Sequence, residues 1–359
     1  MEKIKTIQKL LDGIQSEEGE SFSYDKEAIY NAYQNPNTDQ PGLAIKLLSV
    51  FGGFLASLAL FGFMGISGIF DSEYGILAVG IGSILVAWAI NRNADKLIFD
   101  TFSVSIFIIG VVSLVVALFQ FGMDENTVTF IVIFIALASL YVMQNYVLSF
   151  VSTVTIGGCL LTFIIFYGLY DDLVHIYVAF YAAVMGYWFL NEAKIISSGD
   201  KMSLLYSPVR IGIIISFLFG LIALGVKDLI RLDHRYIWIS SIFIWVGVFL
   251  IVREILEVIQ VTESKHKSAI YGLTILFLLP TIFCPSISGA ILIILLSFLV
   301  NYKTGFVIGI VALVYFVSQY YYDLNFTLLT KSIILISSGI VLLIFYLFVQ
   351  KIIKANEKV

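Results

Sequence analysis

Hydrophobic and polar positions alternate in long blocks from residue 45 onward. Apolar stretches fall at 46–69, 75–90, 101–120, 127–142, 146–169, 173–190, 208–226, 236–256, 268–283, 286–300, 304–320 and 326–350. A helix needs about 20 apolar residues to cross the hydrocarbon layer of a bilayer. Most of these blocks approach that length, and short polar gaps separate them. The pattern predicts an all-α, polytopic transmembrane helix bundle of about twelve spans, with a range of ten to twelve. The weakest spans are 76–90, 286–300 and 304–320, which are short enough to be hairpin halves or re-entrant segments.

Three segments follow from this pattern: a polar tail over 1–45, the spanning bundle over 46–350, and a short basic tail over 351–359. In the first, Ile4, Ile7, Leu11 and Ile14 recur at helical spacing. Ser23 is placed to cap a second short helix through Glu27, Ile29 and Tyr33. Asn35-Pro36-Asn37 and Pro41-Gly42 then read as turns.

The charge in the gaps alternates along the chain. With the N-terminus placed inside, seventeen lysines and arginines fall on the inner side and three, Lys227, Arg231 and Arg235, on the outer. The positive-inside rule then puts both termini in the cytoplasm. Composition agrees with this class: 60% of the 359 residues are hydrophobic and 13% charged, with mean hydropathy +0.98. A soluble domain carries roughly 25% charged residues. The net charge of -4 leaves no nucleic-acid footprint. Cys159 and Cys284 lack the spacing of a zinc site or a disulfide framework, so no metal and no cofactor is expected.

Small residues mark packing surfaces. Gly212, Ser216 and Gly220 form one stripe, Gly305 and Gly309 a second, and Gly62, Gly65 and Gly68 crowd the end of the first span. These surfaces serve either packing within the bundle or a dimer interface.

Ionisable groups inside a span are expensive and so are functional candidates. They gather toward the predicted outer face. Lys331 sits about one and a half turns into the last span. Asp323 follows the aromatic run Tyr320-Tyr321-Tyr322, and Asp171, Asp172 and His175 open the sixth span on one helix side. The loop Lys227–Arg235 reads KDLIRLDHR. Each group has two readings. Lys331 either snorkels to the interface or pairs with an acid or ligand. His175 is either a satisfied interface histidine or part of a site. The tyrosines are either an aromatic belt or a substrate platform, and Arg231 and Arg235 hold either water or an anion. Pro280 and Pro285 bracket LPTIFCPSISG, which is either a tight outer turn or a broken helix.

No Walker loop, HExxH, GxSxG or dinucleotide fingerprint stands in a suitable context. The residues favour a non-enzymatic protein, either a transporter or the membrane subunit of an envelope complex. Two alternatives stay open: an outer-face enzyme acting on a lipid-linked or phosphate-bearing substrate, and a non-catalytic scaffold.

The segment GIVALVYFVSQYYYDLNFTLLTKSIILISSGIVLLIFYLF, above all its YYYDL and TLLTKS strings, resembles the DUF4401 family of bacterial polytopic membrane proteins. The Pro-Gly before KLLSVFGGFLASLALFGF fits the same family. The resemblance implies a multi-pass protein of the bacterial inner membrane, surrounded by lipid bilayer. It also implies a membrane-protein partner of the related DUF2157 kind or of the GDYxxLxY type. It transfers no catalytic residue, but it draws attention to Tyr320, Tyr321, Tyr322, Asp323 and Lys331.

Overall fold

Every described residue of this chain that belongs to a regular element is helical. The computed structural model describes residues 43–68, 71–93, 97–142, 145–168, 170–225, 236–259 and 264–323, with isolated positions up to Leu343. The helices are α1 (Leu43–Ile66), α2 (Glu73–Asn93), α3 (Leu97–Gln120), α4 (Glu125–Val142), α5 (Tyr146–Phe166) and α6 (Tyr170–Leu190). They continue as α7 (Glu192–Ile196), α8 (Asp200–Gly225), α9 (Ile237–Val258), α10 (Ser264–Leu278), α11 (Pro285–Leu299) and α12 (Lys303–Asp323). A 3-10 segment, Leu279–Phe283, joins α10 to α11. Among the described residues, nine helices are long and apolar enough to cross a membrane.

Eleven of the predicted spans coincide with a helix. The weak spans resolve differently from one another. α2 and α12 each extend to 21 residues and reach crossing length. α11 stays at 15 residues, about 22 Å long, shorter than the roughly 30 Å hydrocarbon layer. The tail over 1–42, the loop 227–235, most of the span 326–350 and the tail 351–359 lie outside the described residues.

Contacts divide the chain into two units, Met1–Leu60 and Phe61–Val359. The second holds α2 to α12. Local chemistry sets the ends of its helices. Asp124 caps α4, accepting from the Thr127 amide at 3.0 Å and the Thr127 hydroxyl at 2.6 Å. Asn145 caps α5 through the amides of Val147 and Leu148. α3 stops at Gly122, whose φ of 72° is open to glycine, and the Met123 amide closes back on the Leu118 carbonyl.

Two apolar cores form in this unit. The smaller joins Ile84 and Ala87 of α2, Phe107 and Leu114 of α3, Val128 of α4 and Leu148 of α5. The larger surrounds α8, where Ile214, Phe217 and Leu221 meet Met185 and Phe189 of α6, Ile244 of α9, and Leu292 and Ile293 of α11. Lipid is as apolar as these side chains, so their burial drives insertion and not pairing. Close backbone approach and hydrogen bonds decide which helices pair. A Cβ on Gly80 would sit 2.8 Å from the Leu114 backbone nitrogen, and one on Gly110 2.9 Å from that of Ile84. α2 and α3 therefore touch through two glycines that the sequence reading did not single out.

Candidate functional site

Three polar groupings interrupt the larger core. The first lies at one end of the bundle, hereafter the His175 end. His175, on the second turn of α6, is 4% exposed, and its Nδ1 lies 2.6 Å from Ser240 Oγ on α9. The next residue, Ser241, donates to the Thr281 carbonyl at 3.2 Å. The Thr281 hydroxyl donates to the Leu278 carbonyl and accepts from Ser288 at 2.8 Å and from Trp245 Nε1 at 3.3 Å. Ser286 donates to the Leu221 carbonyl at 2.7 Å. A polar layer thus crosses α6, α9, the 3-10 turn, α11 and α8. The two prolines explain its position. Pro280 and Pro285 lack amide donors, so the chain leaves α-geometry between Leu278 and Pro285, and the buried Thr281 side chain bonds the last α10 carbonyl.

The second grouping lies at the opposite end, around Arg210 on α8. Its Nη1 donates to Glu192 Oε2 at 3.2 Å and to Tyr206 Oη at 3.3 Å. Its guanidinium carbon stands 3.7 Å from the centre of the Tyr302 ring, 4.8 Å from that of Tyr206 and 5.6 Å from that of Phe189. Arg210 is 8% exposed, while the Glu192 side chain is 38% exposed. Tyr206 is itself held by Trp188, each side chain bonding the other's carbonyl. Tyr302 is delivered by a tight turn. Asn301 adopts φ 53°, and the Tyr302 amide closes on the Ser297 carbonyl at 2.7 Å. Asparagine tolerates this left-handed geometry better than most residues. Burial pushes the Tyr302 hydroxyl pKa up, with Arg210 opposing, so it stays a neutral donor.

The third grouping is the seam between α5 and α8. A Cβ on Gly157 would fall 2.2 Å from Ser216 Oγ, one on Gly212 2.6 Å from Thr153, and one on Gly220 2.7 Å from Tyr177. The Tyr177 hydroxyl lies 2.8 Å from the Ser216 carbonyl and 3.2 Å from that of Gly157. Asn145 Nδ2, Ser149 Oγ and Ser152 Oγ are buried and bond no described atom, while the Ser216 hydroxyl is in hydrogen-bonding contact with Tyr181.

The sequence candidates distribute unevenly over these groupings. Of them, His175 belongs to the polar layer, and Tyr320 is in hydrogen-bonding contact with Cys284 beside that layer. Asp172 is exposed on the first turn of α6. Tyr321 and Tyr322 pack edge to face at 5.6 Å, with Tyr322 77% exposed. Arg231, Arg235 and Lys331, and the side chains of Asp171 and Asp323, lie outside the described residues. Gly212, Ser216 and Gly220 face α5 and α6, and Gly305 and Gly309 face α11 and the turn after it, at Ser297, Tyr302 and Ile294. No described atom stands within 4 Å of a Cβ on Gly62. No group of three metal-ligating side chains occurs among the described residues.

A family model described as a domain of unknown function, DUF4401, matches residues 42–352. The chain belongs to the DUF4401 family. The DUF4401 match spans every helix that contributes to the three groupings. No curated protein and no solved structure matches the chain.

Sequence reading passed over Arg210 and its ring of partners. The signal was present: an arginine at the third residue of the span 208–226, two residues after Pro208. It was counted with the loop charges, whereas α8 begins at Asp200 and carries Arg210 ten residues into a helix.

Proposed function

We propose that this DUF4401 protein is a non-catalytic, transporter-type membrane protein and that a small polar solute moves along the α5–α8 seam. The observation that carries this reading is the set of unbonded buried groups on Asn145, Ser149 and Ser152 at the start of α5. Leaving a buried donor or acceptor unmet costs roughly 1–3 kcal/mol. A helical serine can bond the carbonyl four residues back, as Thr153 does to Ser149. Two such serines, with the Asn145 amide beside them at the start of α5, make sense for a surface that meets a solute when the helices part. The small residues let the two helices close tightly between passages.

Positive-inside charge supports placing the Arg210 end in the cytoplasm, and family membership supports the bacterial inner membrane. Purified protein in liposomes tests the function. A mixed pool of amino acids, carboxylates and sugars is supplied outside, and the lumen is analysed by mass spectrometry. At least one solute class should enter faster than into empty liposomes. The combined Ser149→Ala and Ser152→Ala variant should slow that entry while melting at or above the wild-type temperature. Entry indistinguishable from empty liposomes sinks the reading.

The alternative is a membrane subunit whose activity resides in a DUF2157-like or GDYxxLxY-type partner, a reading supported by resemblance. Co-purification of one stoichiometric membrane protein, with no solute entry, would favour it.

A further inference from the structure

Arg210 has no part in the seam, and its surroundings fit a different task. We propose that the Arg210 end binds the phosphate group of an anionic phospholipid, with Arg210 as the anchor and the exposed lysines of the rim as its attracting field.

Three observations converge. Arg210 is more than nine-tenths buried, yet its Nε is buried and bonds no described atom. Glu192 and Tyr206 take the same nitrogen, Nη1, and the Tyr302 hydroxyl is also in hydrogen-bonding contact with the guanidinium. A guanidinium is a rigid fork whose Nε side matches phosphate oxygens, and a pair that engages only one nitrogen leaves that geometry unused.

The depth is right for a headgroup. Tyr141 at the end of α4, Tyr146 at the start of α5 and Tyr187 at the end of α6 are all at least half exposed at this end. Amphipathic rings gather at the headgroup level of a bilayer. Lys201 stands over the Tyr141 ring at 5.2 Å, which puts a cation in that belt.

The charge is complementary. Lys194, Lys201 and Lys303, at the helix ends nearest in sequence to Glu192, Arg210 and Tyr302, are exposed, against the acids Glu192 and Asp200. Basic pockets between helices are the recognised setting for anionic lipid headgroups. The neutral Tyr302 hydroxyl, beside Arg210, adds a donor without adding repulsion.

A purely structural clamp between α7 and α8 predicts something different, and the two partners of the ion pair separate the cases. Glu192 competes with the phosphate for one guanidinium. Removing its charge should strengthen lipid binding even as it weakens the clamp. Removing the fork should abolish it.

The test is native mass spectrometry of the full chain in detergent, titrated separately with phosphatidylglycerol and phosphatidylcholine. Wild type should prefer phosphatidylglycerol by about fivefold to thirtyfold, the scale expected from one to two cations at a membrane surface. Arg210→Lys, which keeps the charge, should lose most of that preference, and Arg210→Gln all of it. Glu192→Gln should raise it. An unchanged preference in Arg210→Lys and Arg210→Gln overturns the proposal, as does a Glu192→Gln variant that binds less lipid. Should Arg210→Gln not fold, the Arg210→Lys and Glu192→Gln pair still decides. Millimolar inorganic phosphate separates the sources. Failure to displace phosphatidylglycerol supports the lipid, and full displacement overturns the lipid as ligand in favour of a soluble phosphate.

Discussion

Single residues at the helix ends hold the polar groupings in place, and each can be tested alone. Asn301 carries φ 53° so that Tyr302 can turn back over Arg210. A β-branched side chain there meets a left-handed penalty of roughly 1–2 kcal/mol. Asn301→Val should lower the melting temperature, and Asn301→Gly should leave it near wild type. Ser240→Ala removes the 2.6 Å partner of His175. Interhelical hydrogen bonds in membranes average about 0.6 kcal/mol and reach about 1.7, so chemical unfolding in detergent should show a loss in that range. Asp124 gives a pH signature. Its bonds to the Thr127 hydroxyl and then to the Thr127 amide hold its carboxyl below the ordinary value. A group depressed in the folded state stabilises above its unfolded pKa and ceases to as pH falls through its folded one. Protection of the Thr127 amide, its exchange rate relative to the intrinsic rate at the same pH, should therefore fall in acid below the ordinary carboxylate range. Asp124→Asn, which keeps a capping oxygen, should remove that pH dependence.

Pairs of helices are matched by space more than by greasiness. Gly157→Ala would drive a Cβ to within 2.2 Å of Ser216 Oγ and 2.5 Å of Ser216 Cβ. It should lower the melting temperature and weaken any solute entry. Adding Ser216→Gly should restore much of the stability, a coupling that distant sites do not show. The neighbouring Gly158→Ala, with no described atom within 4 Å, should change little. The sequence made part of this legible. Gly212, Ser216 and Gly220 stand four apart, and four-residue spacing alone puts them on one helix face. It left Gly80 and Gly110 unnoticed: they belong to no repeating stripe, and they matter through each other and through Leu114 and Ile84 on the facing helices. Arg210 escaped for a related reason. A charge near a span boundary reads as a loop charge until the helix is known to begin ten residues earlier.

At the scale of the whole molecule, orientation is the property that charge predicts and that labelling can check. With Cys159 and Cys284 replaced by alanine, a cysteine at Lys201 should react with an impermeant maleimide only in inverted vesicles, and one at Asp124 only in intact cells. The opposite pattern would reverse the topology. The sequence by itself determined the class and the places of eleven helices, of which nine among the described residues reach crossing length or nearly so as apolar spans. Those are properties of local windows: transfer of an apolar segment into lipid depends on its own composition and length. Only the tertiary structure decided that His175 meets Ser240 across 65 residues, that Tyr302 covers Arg210, and that the hydroxyls of Ser149 and Ser152 are buried without a bond. Those contacts depend on the rotation and register of each helix against its neighbours. In lipid, one apolar flank is as well solvated as another, so only close packing and hydrogen bonds between helices set that register.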